Sequence, residues 1–194
     1  MNAVVILSMA LAAVMAAPKK AYEIKDPAQM IAEVKGMVCI FCSFTVRENL
    51  ERLDFLDKKM FRKGKVASVE EGTVTMALAR GKKVDFAELY RIMHKGGYDI
   101  LAVHLNLTGV VSKKDDSIMM LNEFTGQEFS LVDVQWRPWW DAEDYEGSRI
   151  SVQGVIPEDA LAKPEAGRWV PVKVKSVRVL QDEKAGQKAE VSQK

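Results

Sequence analysis

Between Ile31 and Val103, strand-type and helix-type patterns follow one another in a set order, and that order constrains the fold more than any other feature. Ile31 to Val34 reads as a first strand, broken at Gly36. From Cys42, apolar residues fall at Phe44, Val46, Leu50, Leu53 and Leu56, near the three-and-four spacing of an amphipathic helix, with Arg47, Glu48, Glu51 and Arg52 on the other face. Asp57 to Lys65 is charged and reads as a loop. Val66 to Val69 and Thr73 to Leu78 flank Glu70-Glu71-Gly72, a hairpin signal, and the second run alternates with period two. Asp85 to Lys95 predicts a second helix with Asp85 as N-cap, a stripe of Phe86, Leu89, Tyr90 and Met93, and a stop at Gly96-Gly97. Tyr98 to Val103 is the last strand of the series.

Strand, helix, strand, strand, helix, strand is the split βαβ order, so residues 27–104 are expected to form a ferredoxin-like βαββαβ domain with two helices on one face of the sheet. From Leu105 helix signals nearly vanish, apart from Glu158 to Ala162. Leu107 to Val111, Ser117 to Leu121, Phe129 to Val134, Arg149 to Val155 and Val170 to Leu180 are strand-like, punctuated by Gly109, Gly126, Gly147 and Pro157. Residues 105–182 are therefore expected to form a small all-β barrel of the OB type, with a sandwich as the alternative. The expected class is α+β, with 183–194 as a polar, disordered tail.

Length and charge narrow the function. The chain has 194 residues, room for one medium domain or two small ones, and 28 basic against 27 acidic residues. That balance leaves no electrostatic footprint for nucleic acid. The short run Lys58-Lys59 with Arg62-Lys63 reads as a solvated rim. Ala3 to Ala17 is apolar except for Ser8, too short for the ~20 residues of a bilayer span, and ends in Val14-Met15-Ala16. Residues 1–17 are therefore expected to be a signal peptide and the folded part to be periplasmic or secreted. No Lys or Arg precedes the apolar run, so an uncleaved membrane anchor is the alternative.

The chain's two cysteines, Cys39 and Cys42, lie three positions apart in KGMVCIFCSF. A disulfide there closes a tiny loop and constrains little, so stability alone explains the spacing poorly. Thiolates are soft ligands that favour Cu(I) and the heavier d10 cations. Cys42 is expected in a first helical turn and Cys39 in the loop before it, where the helix N-terminus favours thiolate.

GMVCIFC at Gly36 to Cys42 resembles the GMxCxxC motif of the heavy-metal-associated domain family. Val46, Leu50 and Leu53, then Gly72-Thr73-Val74-Thr75, then Gly97-Tyr98 extend the likeness over about Ile31 to Val103. With the apolar N-terminus, the chain looks most like the family's periplasmic mercury-binding members. The resemblance implies Cys39 and Cys42 as metal ligands for Cu(I) or Hg(II), with Zn(II) a further candidate. It also implies an inward-packed Met37, and Tyr98 near the metal loop. Ile40 and Phe41 depart from it, being bulkier than the family's usual pair; an apolar loop suits a docking surface or a less exposed site. Asp54 to Lys65 is longer than the family's link and is expected at the helix's far end.

The function expected is an exported soft-metal-ion binding protein that sequesters or relays its ion, not an enzyme, since no general base or nucleophile constellation is visible. The alternatives are a thiol–disulfide redox protein using the same pair, or an interaction module with a vestigial metal site. His94 and His104 could each add a ligand, but helix-end and strand-end positions suit structural roles. Met60, Met76, Met93, Met119 and Met120 read as core filling. Asn106-Leu107-Thr108 is a weak glycosylation pattern. Trp136, Trp139 and Trp140, followed by Asp141, Glu143, Asp144 and Glu146, suit either a barrel lid or the contact for a metal donor or acceptor protein.

Overall fold

The computed structural model describes residues 24, 26–114, 117–132, 146–162 and 169–180. Residues 1–17, expected to be a signal peptide, Trp136, Trp139 and Trp140, and residues 183–194, expected to be a tail, lie outside the described residues.

The element order is β1 (Gln29–Lys35), α1 (Ile40–Leu50), α2 (Phe61–Gly64), β2 (Lys65–Ser68), β3 (Thr73–Ala77), α3 (Phe86–Lys95), β4 (Asp99–Lys114), β5 (Ser117–Asn122), β6 (Glu128–Val132), β7 (Arg149–Pro157), α4 (Glu158–Ala162) and β8 (Val170–Val179). All described strands join one sheet in the order β2-β3-β1-β4-β5-β6-β8-β7, and β7 pairs back onto β4. The five strands β4, β5, β6, β8 and β7 thus close into a barrel. Its pairings are antiparallel except β6 with β8.

This corrects the expected fold class. The chain is not a ferredoxin-like βαββαβ domain followed by a small barrel. It is one mostly-β sheet in which a closed five-strand barrel carries β1, β3 and β2 as an extension. The expected boundary at 104/105 falls inside β4, which runs unbroken over 16 residues. On one edge β4 pairs with β1 through Asp99 to Leu105 and with β5 through Gly109 to Lys114. On the other it pairs with β7 from Ala102 to Val110. The closed barrel is compatible with the OB-like expectation.

Gly109 shows why the continuous strand is hard to read. In sequence it looks like a break. In space it is where β4 meets β5 so closely that a Cβ would overlap the Leu121 carbonyl oxygen.

One contiguous core runs from Met30, Ala32 and Val34 of β1, through Val46 and Leu50 of α1 and Leu89 and Met93 of α3, to Phe129, Ile150 and Val172 of the barrel. Each such Leu, Val or Phe contributes roughly 1.5–3 kcal/mol by leaving water. α3 begins at its N-cap Asp85, which accepts from the Glu88 N–H at 2.8 Å, and packs against both α1 and α4. The expected loop Asp57 to Lys65 contains α2, where Arg62 and Lys63 take left-handed φ of 40° and 61°. Lys63 Nζ reaches Glu51 Oε1 at 2.7 Å and ties this strained turn to the end of α1.

Candidate functional site: the cysteine tip

β1 ends at Lys35, and Gly36 turns the chain with φ of 94°, in the left-handed region that glycine occupies without a steric penalty. A Cβ there would sit 3.4 Å from the Gly97 carbonyl oxygen, an ordinary contact, so the positive φ and not crowding is what calls for glycine. Met37 points inward and is buried, as the resemblance implies. Cys39 is the N-cap of α1: its backbone is extended and its sulfur accepts the Cys42 N–H at 3.1 Å. Ser43 N–H donates to the Cys39 carbonyl at 3.1 Å, and no acidic residue occupies the first turn. The positive end of the helix therefore acts on the two sulfurs without a competing carboxylate in that turn.

Cys39 and Cys42 are joined as a disulfide, with Cα atoms 5.1 Å apart. Cys42 is partly buried against the core, and the Tyr98 hydroxyl donates to its carbonyl oxygen at 3.3 Å. Tyr98 thus braces the helix start rather than touching sulfur.

The flanking apolar residues stand in water. Val38 is 82% exposed, Ile40 80%, Phe41 85% and Phe44 55%. Phe44, expected on the buried stripe of the first helix, is corrected to the surface, where Arg47 lies over its ring at 5.5 Å. The buried side of α1 is carried by Val46 and Leu50 alone. Leu53 and Leu56 are buried too, but the helix ends at Leu50, before them. Ile40 and Phe41 are exposed, and they open α1 instead of lying in a loop. The longer Asp54 to Lys65 segment follows the opposite end of α1.

Neither histidine is brought into a cluster with the cysteines. His94 ends α3, stacked on Tyr90 at 5.7 Å and 3.3 Å from Asp99. His104 is buried in mid-strand, with Nε2 2.5 Å from Glu33 Oε1. Burial pushes its pKa below the ordinary value, and the Glu33 carboxylate opposes that shift. Among the described residues no group of three or more His, Cys, Asp or Glu side chains is arranged to hold a metal. Met76, Met93, Met119 and Met120 fill the core as expected, whereas Met60 is exposed. Asn106 lies within β4, donating to the Ile24 carbonyl at 3.0 Å and accepting from Ser151.

Sequence reasoning missed the buried amine of Lys65, at the start of β2. Among the described residues its Nζ has no hydrogen-bond partner, and a Glu51 carboxylate oxygen lies 3.8 Å away. Burial lowers its pKa, with Glu51 acting the other way. A lysine opening a strand after a charged loop carries no sequence signal of this.

Among the described residues no helix is long and apolar enough to cross a membrane. Compared with family models, curated proteins and solved structures, the chain matches none.

Proposed function

We propose that the chain binds one soft metal ion as cargo through the thiolates of reduced Cys39 and Cys42. It then sequesters the ion or hands it on by exchange of one thiolate for a partner's. The observation that carries this reading is the placement of both sulfurs within bonding reach of each other at the N-terminus of α1. Two sulfur donors without a third ligand suit Cu(I) or Hg(II), which accept two. Zn(II) fits less well, because its tetrahedral shell needs two further ligands from elsewhere. Export to the periplasm or outside the cell, with a donor or acceptor protein engaged through Trp136, Trp139 and Trp140, belongs to the same proposal.

The test is native mass spectrometry of the reduced chain titrated with Cu(I), Hg(II) and Zn(II), beside a Cys39→Ser, Cys42→Ser control. One Cu(I) or Hg(II) per chain, absent from the control, is the expected result. The second reading, a thiol–disulfide redox protein, is favoured by the pair being closed as a disulfide at a helix N-terminus. No metal uptake, together with rapid exchange against a dithiol, would select it. Neither uptake nor exchange would leave an interaction module.

A further inference from the structure

Val38, Ile40, Phe41 and Phe44 flank the disulfide-linked pair in sequence as an exposed apolar cap. Metal uptake by this pair needs thiolates, and the pair is oxidised, so an electron donor must reach it. We propose that this cap is the docking surface for an exported dithiol protein that reduces Cys39–Cys42. The inference rests on the metal reading for its purpose, though not for its chemistry.

The size of the cap selects among occupants. Its four side chains expose on the order of 500 Å², given the 150–250 Å² of an aromatic side chain. Covered from both sides, that is about 1,000 Å², below the range of stable dimers and within that of transient redox encounters. A second copy is therefore a poor occupant. A lipid surface calls for a strongly cationic face around the apolar one. Here Glu48 follows Phe44 by one helical turn, and Arg47 lies over the Phe44 ring. A protein thiol, by contrast, must come within bonding distance of a sulfur whose sequence neighbours are these uncharged side chains, and they add no repulsion.

The step balances. A partner thiolate bonds to one sulfur of the pair as the Cys39–Cys42 bond breaks, and the other sulfur leaves as thiolate. The helix N-terminus and the Cys42 N–H hold negative charge there. The partner's second thiolate then attacks the partner's own sulfur in the mixed disulfide, and the chain's remaining sulfur leaves as thiolate. Two electrons have passed to the pair, the partner is left as a disulfide, and the released thiolates take protons from water.

The test compares the oxidised chain with its Ile40→Ser, Phe41→Ser variant. Each is reduced by purified reduced thioredoxin and, separately, by dithiothreitol. Docking predicts at least a tenfold fall in the thioredoxin rate for the variant, with the dithiothreitol rate within twofold. A thioredoxin rate within twofold, or an equal fall with both reductants, overturns the proposal. So does an unchanged thioredoxin rate alongside loss of self-association or of binding to anionic vesicles. Metal titration of both proteins after dithiothreitol reduction separates the readings. A rate effect without metal uptake sinks the metal reading and keeps the docking surface, and uptake without a rate effect does the reverse.

Discussion

The cysteine tip and the sheet depart from the usual burial pattern in opposite directions. At the tip, Val38, Ile40 and Phe41 are in water. In the sheet, His104 and Lys65 are out of it. An exposed apolar side chain costs the folded state little, because it is also exposed in the unfolded chain. A buried polar group loses hydration and needs a partner. The tip therefore has features that stability does not explain, whereas the buried groups are tied to how the sheet is assembled. Each region can be changed with a different readout.

The largest effect is expected at the tip's chemistry. Cys39→Ser with Cys42→Ser abolishes metal uptake in the mass-spectrometric titration. In urea melts the same change costs no more than about 2 kcal/mol, because the loop the disulfide closes is so short. Retained uptake would place the ligands elsewhere. Next comes Gly109→Ala in the shared strand. It pushes a methyl into the Leu121 backbone and should destabilise by more than about 3 kcal/mol in urea unfolding. A loss below about 1 kcal/mol would mean that β4 and β5 can part without unravelling the barrel.

Lys65→Met sharpens the contrast by removing a buried amine that lacks a hydrogen-bond partner among the described residues. It should be neutral or stabilise, by about 1–4 kcal/mol at most, as when buried charges give way to packed apolar groups. Ile40→Ser with Phe41→Ser, by comparison, should shift stability by no more than about 0.5 kcal/mol, as for other surface changes. A large loss there would show that the cap packs against something within the chain.

The smallest effect concerns pH. His104 has a folded pKa below its unfolded value, so between the two the unfolded chain takes up a proton that the folded chain does not. Stability should fall as pH drops below about 6.5. His104→Gln should flatten that part of the profile, measured by thermal melts from pH 8 to 5. An unchanged slope would assign the dependence to other groups.

The local elements were legible in sequence. Asp85 caps α3 because a carboxylate reaches a free N–H three residues on, whereas the alternation over Thr73 to Ala77 does not mark one buried face, since β3 is buried on both sides at all positions but Thr75. Glu158 to Ala162 stands where the pattern places it. The amphipathic pattern begins at Cys42, two residues after the start of α1, because Ile40 and Phe41 are both apolar and both exposed and so add nothing to it. The cysteine pair was legible as a site from spacing and residue type. Whether its neighbours are buried was not, since an apolar side chain carries the same letter in a core as on a tip.

What the sequence determined by itself was local: strand and helix periods, caps, turns, and two sulfurs at a helix start. These depend on contacts a few residues apart. The tertiary structure alone decided that β4 continues through Gly109, that one sheet joins both halves, and that His104 and Lys65 are buried while Phe41 is not. Each of these depends on which distant strand or helix comes to lie alongside, and a one-dimensional pattern of residue types does not carry that.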